Sequence, residues 1–335
     1  MQKPLISVLM PVYRTDRAHL HQAIDSILNQ TVKDFEFLIM DDCPTDRRED
    51  VVLSYNDNRI KYIKNPENLG IAKARNLLID MAQGDFLAVM DHDDIAYPNR
   101  FEKQLAYMQE HLDTGICGSA CRRFGDLKKK GIVSHSTNSD EIASGLFFKC
   151  MIHHPSAFIR AEVLKKNKIY YSDKYVSSND RRLYLDIMSV SKLANLPDVL
   201  MDYRMHANMT SKQAREKIVA EQKLLRDEML LSMGLTLDEA QKGILNDYIT
   251  KGRCRIKDKE ILKQVESVLS LLNKANQKSE YFPVDSFEKL CAQYLVKRCL
   301  NAAVFGRIGS KDILKKTDLK RGKVPFWLKV LNFIY

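Results

Sequence analysis

This chain of 335 residues contains no glycine-rich phosphate loop. Neither GxGxxG nor GxxxxGKS/T occurs among its 13 glycines, so neither a dinucleotide site of the Rossmann type nor a P-loop is supported. No run approaches the ~18–20 apolar residues of a membrane span. The early apolar run Leu5–Met10 is too short for a signal peptide. We therefore expect a protein that is neither exported by that route nor integral to a membrane.

Cysteine pairs of the CxxC type are also missing, which removes the usual spacing of zinc and thiol-redox sites. The 7 cysteines are odd in number and irregularly spaced, a poor framework for disulfides. They predict reduced thiols and a cytoplasmic protein. With 45% hydrophobic and 29% charged residues, the composition excludes a disordered chain and provides material for a sizeable core.

Positive charge is distributed unevenly along the chain. The formal net charge is +10, yet residues 1–206 carry 28 basic and 28 acidic side chains, whereas residues 207–335 carry 25 and 15. A basic region attached to a neutral body predicts an anionic partner at that end, a membrane surface or a polyanion. It does not favour a nucleic-acid groove across the whole molecule.

Short apolar runs alternate with helical patterns from residue 5 to about 95, which predicts an α/β fold with a mostly parallel sheet flanked by helices. Polar residues follow three of these runs, at the strand ends where open α/β sheets bind ligands. The fourth run ends in Asp91, His92, Asp93 and Asp94. Such an acidic turn repels itself unless a cation or donors neutralise it, and carboxylates suit Mg²⁺ or Mn²⁺. The alternative is a solvated acidic turn.

Seven segments in order resemble the motifs of family 2 glycosyltransferases with the GT-A fold, of the bacterial type that builds lipopolysaccharide, lipooligosaccharide or capsule. They are SVLMPVYR (Ser7–Arg14), FEFLIMDDCPTD (Phe35–Asp46), NLGIAKARN (Asn68–Asn76), GDFLAVMDHDD (Gly84–Asp94), HHPSAFIR (His153–Arg160), SNDRRLYLDI (Ser178–Ile187) and DYRMHANMTS (Asp202–Ser211).

The resemblance implies a GT-A catalytic domain at 1–210 and a mainly helical C-terminal region at 211–335. Within the domain it implies a nucleotide-binding half at 1–115 and an acceptor-binding half at 116–210.

For the donor, the resemblance implies that Pro11 and Tyr13 line the base and that Asp42 accepts the uracil imide N–H. That contact implies a UDP-sugar. Asn68 and Arg75 match positions that contact the nucleotide and its phosphates, with packing or a surface charge as the alternative for Tyr13 and Arg75.

For the metal, Asp91 and Asp93 match the DxD motif that meets ribose and ion, Asp94 is a further carboxylate, and His206 lies in the YRxH element. His92, inside the motif, is counted with the donor-binding residues. The cofactor implied is Mn²⁺ or Mg²⁺. His206 has a structural role as its alternative.

Asp180 matches the family's general base, with an N-terminal helix cap as the alternative. Asn179 replaces the usual first acid, a change to which we attach little weight. Arg181 and Arg182 follow, and they are expected to lower the pKa of Asp180 if they pair with it. They could instead hold diphosphate or an anionic acceptor. His153 and His154 match a segment on the acceptor side.

The C-terminal tail, about 307–335, contains eight basic residues between Arg307 and Lys329, and its end carries the apolar residues Phe326, Trp327, Leu328, Phe333 and Ile334. Basic residues beside an aromatic apolar segment predict an interfacial anchor on anionic lipid. A terminal helix docked on the body is the alternative. The anchor places the protein on the inner face of the bacterial cytoplasmic membrane, where lipid-linked glycan acceptors reside.

Together these features predict a metal-dependent, inverting hexosyltransferase that uses a UDP-sugar and a hydroxyl of a surface glycan, free or lipid-linked. Two alternatives are a sugar nucleotidyltransferase and a noncatalytic glycosyltransferase-like scaffold. A nucleotidyltransferase normally needs a glycine-rich loop after the first strand, which this chain lacks. The intact DxD motif and Asp180 argue against the scaffold.

Overall fold

The computed structural model describes residues 3–126, 130–206, 215–250 and 256–306. It divides into two compact units. The first contains Met1–Ile142 and Cys150–Glu221, and the second contains Ala143–Lys149 with the chain that follows Glu221. The predicted basic tail at 307–335 lies outside the described residues.

The first unit is built on one mixed sheet. Its described strands are β1 (Ile6–Val12), β2 (Phe35–Asp41), β3 (Ile60–Lys64), β4 (Phe86–Val89), β5 (Ile95–Ala96), β6 (Thr114–Gly125), β7 (Gly131–Val133), β8 (Phe158–Arg160) and β9 (Lys192–Met205). Their order is β3-β2-β1-β4-β8-β6-β9-β5, with β7 paired to β6. The first four strands are parallel, as are β6 and β9, while β8 runs antiparallel to both β4 and β6. This sheet confirms the predicted fold class.

Helices connect the strands and cover the sheet. They are α1 (Arg17–Leu28), α2 (Glu49–Leu53), α3 (Ile71–Met81), α4 (Arg100–Glu110), α5 (Ser139–Gly145), α6 (Ala161–Asn167) and α7 (Asn179–Met188). Helix α1 shows why the sequence folds this way. Asp16 accepts hydrogen bonds from the N–H groups of Ala18 and His19, and Leu20, Ile24 and Ile27 form the buried stripe at helical spacing.

The second unit is helical in its described part, as the sequence predicts. It includes most of α8 (Arg215–Ser232), then α9 (Glu239–Gly243), a π-helix (Ile244–Thr250), α10 (Lys259–Ser279) and α11 (Val284–Gly306). Phe282 and Phe287 stack with ring centroids 5.1 Å apart, and Phe148 stacks on Tyr294 at 4.2 Å. Among the described residues, no helix is both long and apolar enough to cross a bilayer.

The strand register brings the three polar strand ends to one edge of the sheet. Val12 of β1 pairs with Asp41 of β2, and Leu9 of β1 pairs with Val89 of β4. Because these strands are parallel, the residues that follow them emerge side by side. The sheet therefore brings the acidic turn after β4 and the two aspartates at the end of β2 to the same edge as Tyr13.

At the opposite edge, Gly84 packs directly against the backbone of β1. Its N–H donates to Ser7 Oγ at 2.8 Å, and a Cβ at this position would lie 2.5 Å from Ser7 N and 2.7 Å from the Ile6 carbonyl carbon. Backbone atoms cannot rotate away as a flexible side chain can. The close approach therefore needs glycine.

We expect Gly84→Ala to lower the free energy of unfolding by about 1–3 kcal/mol, the cost of overpacking a close contact. Urea denaturation measures the loss. Gly243→Ala is the matched control, because nothing lies within 4 Å of the added Cβ and the residue is helical. Equal midpoints for both variants would contradict the packing argument.

Candidate active site

Asp42, directly after β2, is buried and holds the loop that leads into α3. Its Oδ1 accepts from Asn65 Nδ2 at 2.8 Å and from Leu69 N at 2.9 Å, and its Oδ2 accepts from Gly70 N at 2.9 Å. A carboxylate has about four acceptor positions, so roughly one stays available. The carboxylate therefore has a structural task that the sequence did not reveal, and it can still receive one further donor.

Asp41, its neighbour, serves the turn alone. It is fully buried and accepts from Cys43 N at 3.0 Å, Arg48 N at 2.8 Å and Tyr62 Oη at 2.6 Å. A fourth contact is the Arg47 guanidinium, whose Nη1 lies 3.8 Å from Oδ1, so the roughly four acceptor positions of this carboxylate all face protein groups. Of the two aspartates, Asp42 is thus the one with capacity for a ligand.

Pro11 and Tyr13, the residues predicted to line the base, lie at the end of β1, the strand next to β2. Pro11 is buried within β1, and Tyr13 follows the strand with 40% of its surface exposed. The Arg14 guanidinium lies 5.3 Å from the Tyr13 ring centroid. Asn68 is exposed, and its Oδ1 accepts from Gly70 N at 2.9 Å. An exposed tyrosine ring such as that of Tyr13 can stack on a planar nucleotide base.

Each carboxylate of the acidic turn has its own partner. Asp91 Oδ1 lies 3.1 Å from Arg75 Nη2, and Asp93 Oδ2 lies 2.9 Å from His206 Nε2. Asp94 Oδ1 accepts from the backbone N–H of Arg204 at 2.8 Å. The structure therefore brings His206 to the DxD turn, over more than a hundred residues of chain.

The surroundings of Asp94 disfavour the ionised form of its carboxyl group. Burial, with the charges of Asp93 and Asp91, raises its pKa well above the usual range. Its Oδ2 is buried without a hydrogen-bond partner in the described part of the chain. Nδ1 of His92, in the same turn, is also buried without such a partner. Unsatisfied buried acceptors beside like charges favour the arrival of a cation.

A complete ligand set is not formed by protein side chains alone. Among the described residues, no group of three or more His, Cys, Asp and Glu side chains is placed to hold a metal. Mg²⁺ sites that act on nucleotides commonly use one or two carboxylates and complete the shell with phosphate oxygens and water. Asp93 is the carboxylate that could serve such a site, with His206 bonded to it and the unsatisfied oxygen of Asp94 in the same turn.

Arg75 of α3 connects the acidic turn to the start of α7. It is buried, donates to Asp91 as above, and its Nη1 lies 3.3 Å from Asn179 Oδ1. The face of Tyr171 lies 5.3 Å from its guanidinium carbon. Arg75 thus binds two protein groups beside the predicted phosphate position. Asn179, whose replacement of the usual first acid was expected to matter little, is one of them.

Asp180 lies in the first turn of α7, whose N-cap residue is Ser178, so the alternative in which Asp180 caps the helix is wrong. Asp180 Oδ1 accepts from Arg181 N at 2.7 Å, and Cys150 Sγ lies 3.5 Å from Oδ2. Arg182 turns away and pairs with Asp186.

The arginines do not bring the pKa of Asp180 below its usual value. Burial raises this pKa, and it outweighs the opposing effects of the Arg181 backbone N–H, the Arg75 charge, the Cys150 thiol and the Arg181 charge. Arg182 pairs with Asp186 instead.

The two histidines of the HHP segment have different surroundings. His154 is buried, with Nδ1 2.8 Å from Tyr184 Oη and Nε2 3.3 Å from Tyr171 Oη. Burial, with the Arg75 charge, lowers the pKa of His154 well below its usual value. As a neutral ring it links Tyr184 of α7 to Tyr171. The His153 ring lies 6.3 Å from that of Tyr203.

Sequence reasoning missed several neighbours of the site. The His19 ring on α1 lies 6.2 Å from that of His206, the His135 ring lies 4.8 Å from that of His153, and Cys150 touches Asp180. None of them belongs to a motif. The one signal was the position of His19, in the first turn of the helix that follows β1.

The Glycosyl transferase family 2 profile matches residues 7–168. An uncharacterised glycosyltransferase of Methanocaldococcus jannaschii is 33% identical over 234 residues, which are 65% of this chain and 77% of that protein. The chain belongs to glycosyltransferase family 2. The predicted family and enzyme class are thereby confirmed.

Two further members act in bacterial polysaccharide synthesis according to their names. The amylovoran biosynthesis glycosyltransferase AmsE of Erwinia amylovora is 30% identical over 62% of this chain and 79% of its own length. The O-antigen biosynthesis glycosyltransferase WbnJ of Escherichia coli is 32% identical over 63% of this chain and 83% of its own length.

Two solved structures, those of TarS and PcManGT, share the GT-A fold with this chain. Staphylococcus aureus TarS 1–349 in complex with UDP-GlcNAc matches with a TM-score of 0.56 and 20% identity, over 92% of this chain and 91% of the other. The mannosyltransferase PcManGT of Pyrobaculum calidifontis, in complex with GDP-Man and Mn²⁺, matches with a TM-score of 0.53 and 13% identity over 92% and 89%. At these identities the likeness concerns the fold.

Proposed function

We propose that this family 2 glycosyltransferase is a metal-dependent, inverting enzyme of bacterial surface-glycan synthesis. It transfers a hexose or N-acetylhexosamine from a UDP-sugar to a hydroxyl of a lipopolysaccharide, lipooligosaccharide or capsule acceptor. The observation that carries the proposal is the Arg75 bridge. It joins the acidic turn at Asp91 to the start of the helix that carries Asp180, which supports one connected site for the proposed diphosphate position and the proposed base.

In this mechanism Asp180 takes the proton of the acceptor hydroxyl. The freed oxygen forms a bond to the anomeric carbon of the sugar, and the bond from that carbon to the diphosphate breaks with its electron pair leaving on UDP. Attack from the face opposite UDP inverts the anomeric configuration. Asp180 must be ionised to act as base. Because burial raises its pKa, turnover is expected to fall with decreasing pH above the usual aspartate range.

Asp93 and His206 are the residues that we assign to the metal, with Asp94 and Asp91 beside them. A bound Mn²⁺ or Mg²⁺ would neutralise charge that develops on the leaving diphosphate. Pro11, Tyr13, Asn68, Arg75 and His92 are assigned to the donor. The PcManGT complex contains Mn²⁺, which supports divalent-metal use in this fold.

The donor base is inferred from Asp42. Its carboxylate keeps roughly one acceptor position, which matches the single imide N–H of uracil. Guanine presents two donors on the corresponding edge, and the cytosine ring nitrogen presents none. The TarS complex with UDP-GlcNAc also supports a uridine donor, whereas GDP-Man in PcManGT keeps guanosine as the rival.

The test of this function is a donor screen on the purified chain with Mn²⁺. UDP is expected to raise the melting temperature clearly more than equal concentrations of GDP or CMP, because a ligand that binds only the folded state stabilises it. Release of UDP should then require both a UDP-sugar and a glycan acceptor. Equal protection by GDP would remove the uridine assignment, and formation of a nucleotide-sugar would favour the nucleotidyltransferase.

We further propose that the basic tail at 307–335 anchors the enzyme to anionic lipid on the cytoplasmic face of the membrane. Its eight basic residues and aromatic end support this. Sedimentation with anionic vesicles should be lost on truncation after Gly306 and weakened by salt. A lower melting temperature of the truncated protein would instead indicate a docked helix.

A further inference from the structure

Cys150 lies at the start of the segment that leads into the 3₁₀ turn His154–Ser156, and it contacts the proposed base. Its Sγ is 3.5 Å from Asp180 Oδ2 and 3.3 Å from the carbonyl oxygen of Ile152. The distance to Asp180 is within the range of a thiol hydrogen bond. No motif of the family resemblance includes this residue.

The two oxygens of Asp180 are held in different ways. Oδ1 accepts from the backbone N–H of Arg181 at 2.7 Å, a contact that the helix itself provides. Oδ2 has Cys150 as its hydrogen-bonding neighbour among the described residues. The orientation of the carboxylate about its last bond therefore depends on the thiol.

We propose that Cys150 is a positioning residue for the general base: its thiol donates to Asp180 Oδ2 and fixes the carboxylate plane for proton transfer. This inference rests on the proposed function, in which Asp180 is the base. Cys150 does not touch the reacting atoms in this role. It acts through Asp180.

The thiol is in the protonation state that this role needs. Burial, followed by the nearby charge of Asp180, raises the pKa of Cys150 well above its usual value. A thiol that stays protonated can donate but cannot act as a nucleophile. Its S–H group is shared between Asp180 Oδ2 and the Ile152 carbonyl, since one thiol has one proton.

The same hydrogen bond opposes the effect of burial on the base. A donor to the ionised carboxylate favours that form, and the Cys150 thiol accordingly lowers the pKa of Asp180. Loss of the donor should raise this pKa. The acid limb of the pH profile of kcat, which reports the ionisation of the base, should then move to higher pH.

The other ionisable groups around Asp180 do not change their charge over the pH range of the acid limb. Arg75 on α3 and Arg181 on α7 are cations at every pH of interest. The remaining titratable neighbours are neutral, because burial raises the pKa of both tyrosines and lowers that of the histidine: Tyr171, Tyr184 and His154. A shift of the acid limb therefore reports on Asp180.

The experiment compares Cys150→Ala with Cys150→Ser by following UDP release across pH in the full chain. Cys150→Ala removes the donor and is expected to raise the acid limb by about half a pH unit, the effect of a weak hydrogen bond. Cys150→Ser keeps a hydroxyl donor and should leave the limb at or below its wild-type position. Cys117→Ala is the matched control, since that buried thiol bonds the Gly118 carbonyl and not Asp180.

A limb that stays in place in Cys150→Ala, or moves upward equally in both variants, would show that Cys150 only fills space. If Cys150→Ala does not fold, an upward shift in Cys150→Ser alone overturns the proposal. Asp180→Asn distinguishes failure of the proposed base from failure of the role proposed for Cys150. Normal turnover in that variant would sink the proposed base itself, whereas an inactive Asp180→Asn with unmoved Cys150 limbs would overturn this inference alone.

Discussion

Asp180→Asn is expected to reduce kcat by about 10²–10⁴-fold, the usual contribution of a general base. Asparagine has nearly the same shape and keeps an oxygen for the Arg181 N–H, but it cannot accept the proton of the acceptor hydroxyl. Affinity for UDP should change little, because the proton is removed only in the transition state. Initial rates of UDP release and a thermal titration with UDP measure the two quantities.

Asp186→Asn is the matched control for this variant. Asp186 lies on the same helix and pairs with Arg182 at a partly exposed position, so its replacement should leave kcat within about twofold. The product should also have the anomeric configuration opposite to that of the donor, which NMR reads directly. Retention of configuration, or a normal rate in Asp180→Asn, would contradict the single-displacement mechanism.

Removal of the divalent ion is expected to abolish transfer, and Asp93→Asn should reduce kcat by about 10²-fold or more while the protein stays folded. The Asp93 carboxylate lies with His206 at the acidic turn, and asparagine would lack the charge that we propose as the ion's ligand. EDTA, followed by Mn²⁺ or Mg²⁺, tests the requirement. Mn²⁺ affinity, measured without turnover, tests whether Asp93 is a metal ligand, since Asp93→Asn should then bind the ion more weakly.

Asp85→Asn is the appropriate control for the metal experiments. Asp85 pairs with Lys3 and precedes β4, at the end opposite the acidic turn, so Mn²⁺ affinity and turnover should stay at the wild-type level. A wild-type enzyme that transfers sugar at its normal rate in chelator would refute metal dependence. Unchanged Mn²⁺ affinity in Asp93→Asn would move the ligand assignment to other residues of the turn.

The sequence alone determined the fold class, the family and the position of the acidic turn. Buried runs such as Ile6–Val12 and helical stripes such as that of α1 are local patterns, because side-chain direction repeats every two or 3.6 residues. Parallel strands place their carboxyl ends together, so Asp42 and Asp91 could be assigned to one edge before the structure was known. The comparisons confirm the family, and the roles of the site residues stay predictions.

Strand β9 shows where local pattern is insufficient. Lys192–Met205 contains Pro197 and pairs with β6 through irregular register shifts, so neither strict alternation nor a continuous apolar run marks it. Its strand character depends on a partner some eighty residues earlier in the chain. The strand matters to the site because its end carries Arg204, whose backbone N–H binds Asp94.

Tertiary structure alone decided the partners of each charge. Arg75 bonds Asn179 across 104 residues, and His206 reaches Asp93 across 113. Cys150 meets Asp180 without any motif around it. The pKa of Asp180 was likewise decided by its surroundings in the fold. Its neighbours in sequence are two arginines that suggested a lowered value, but burial raised it. Desolvation and ion pairing depend on what surrounds a group in space, and sequence neighbours on a helix point in different directions.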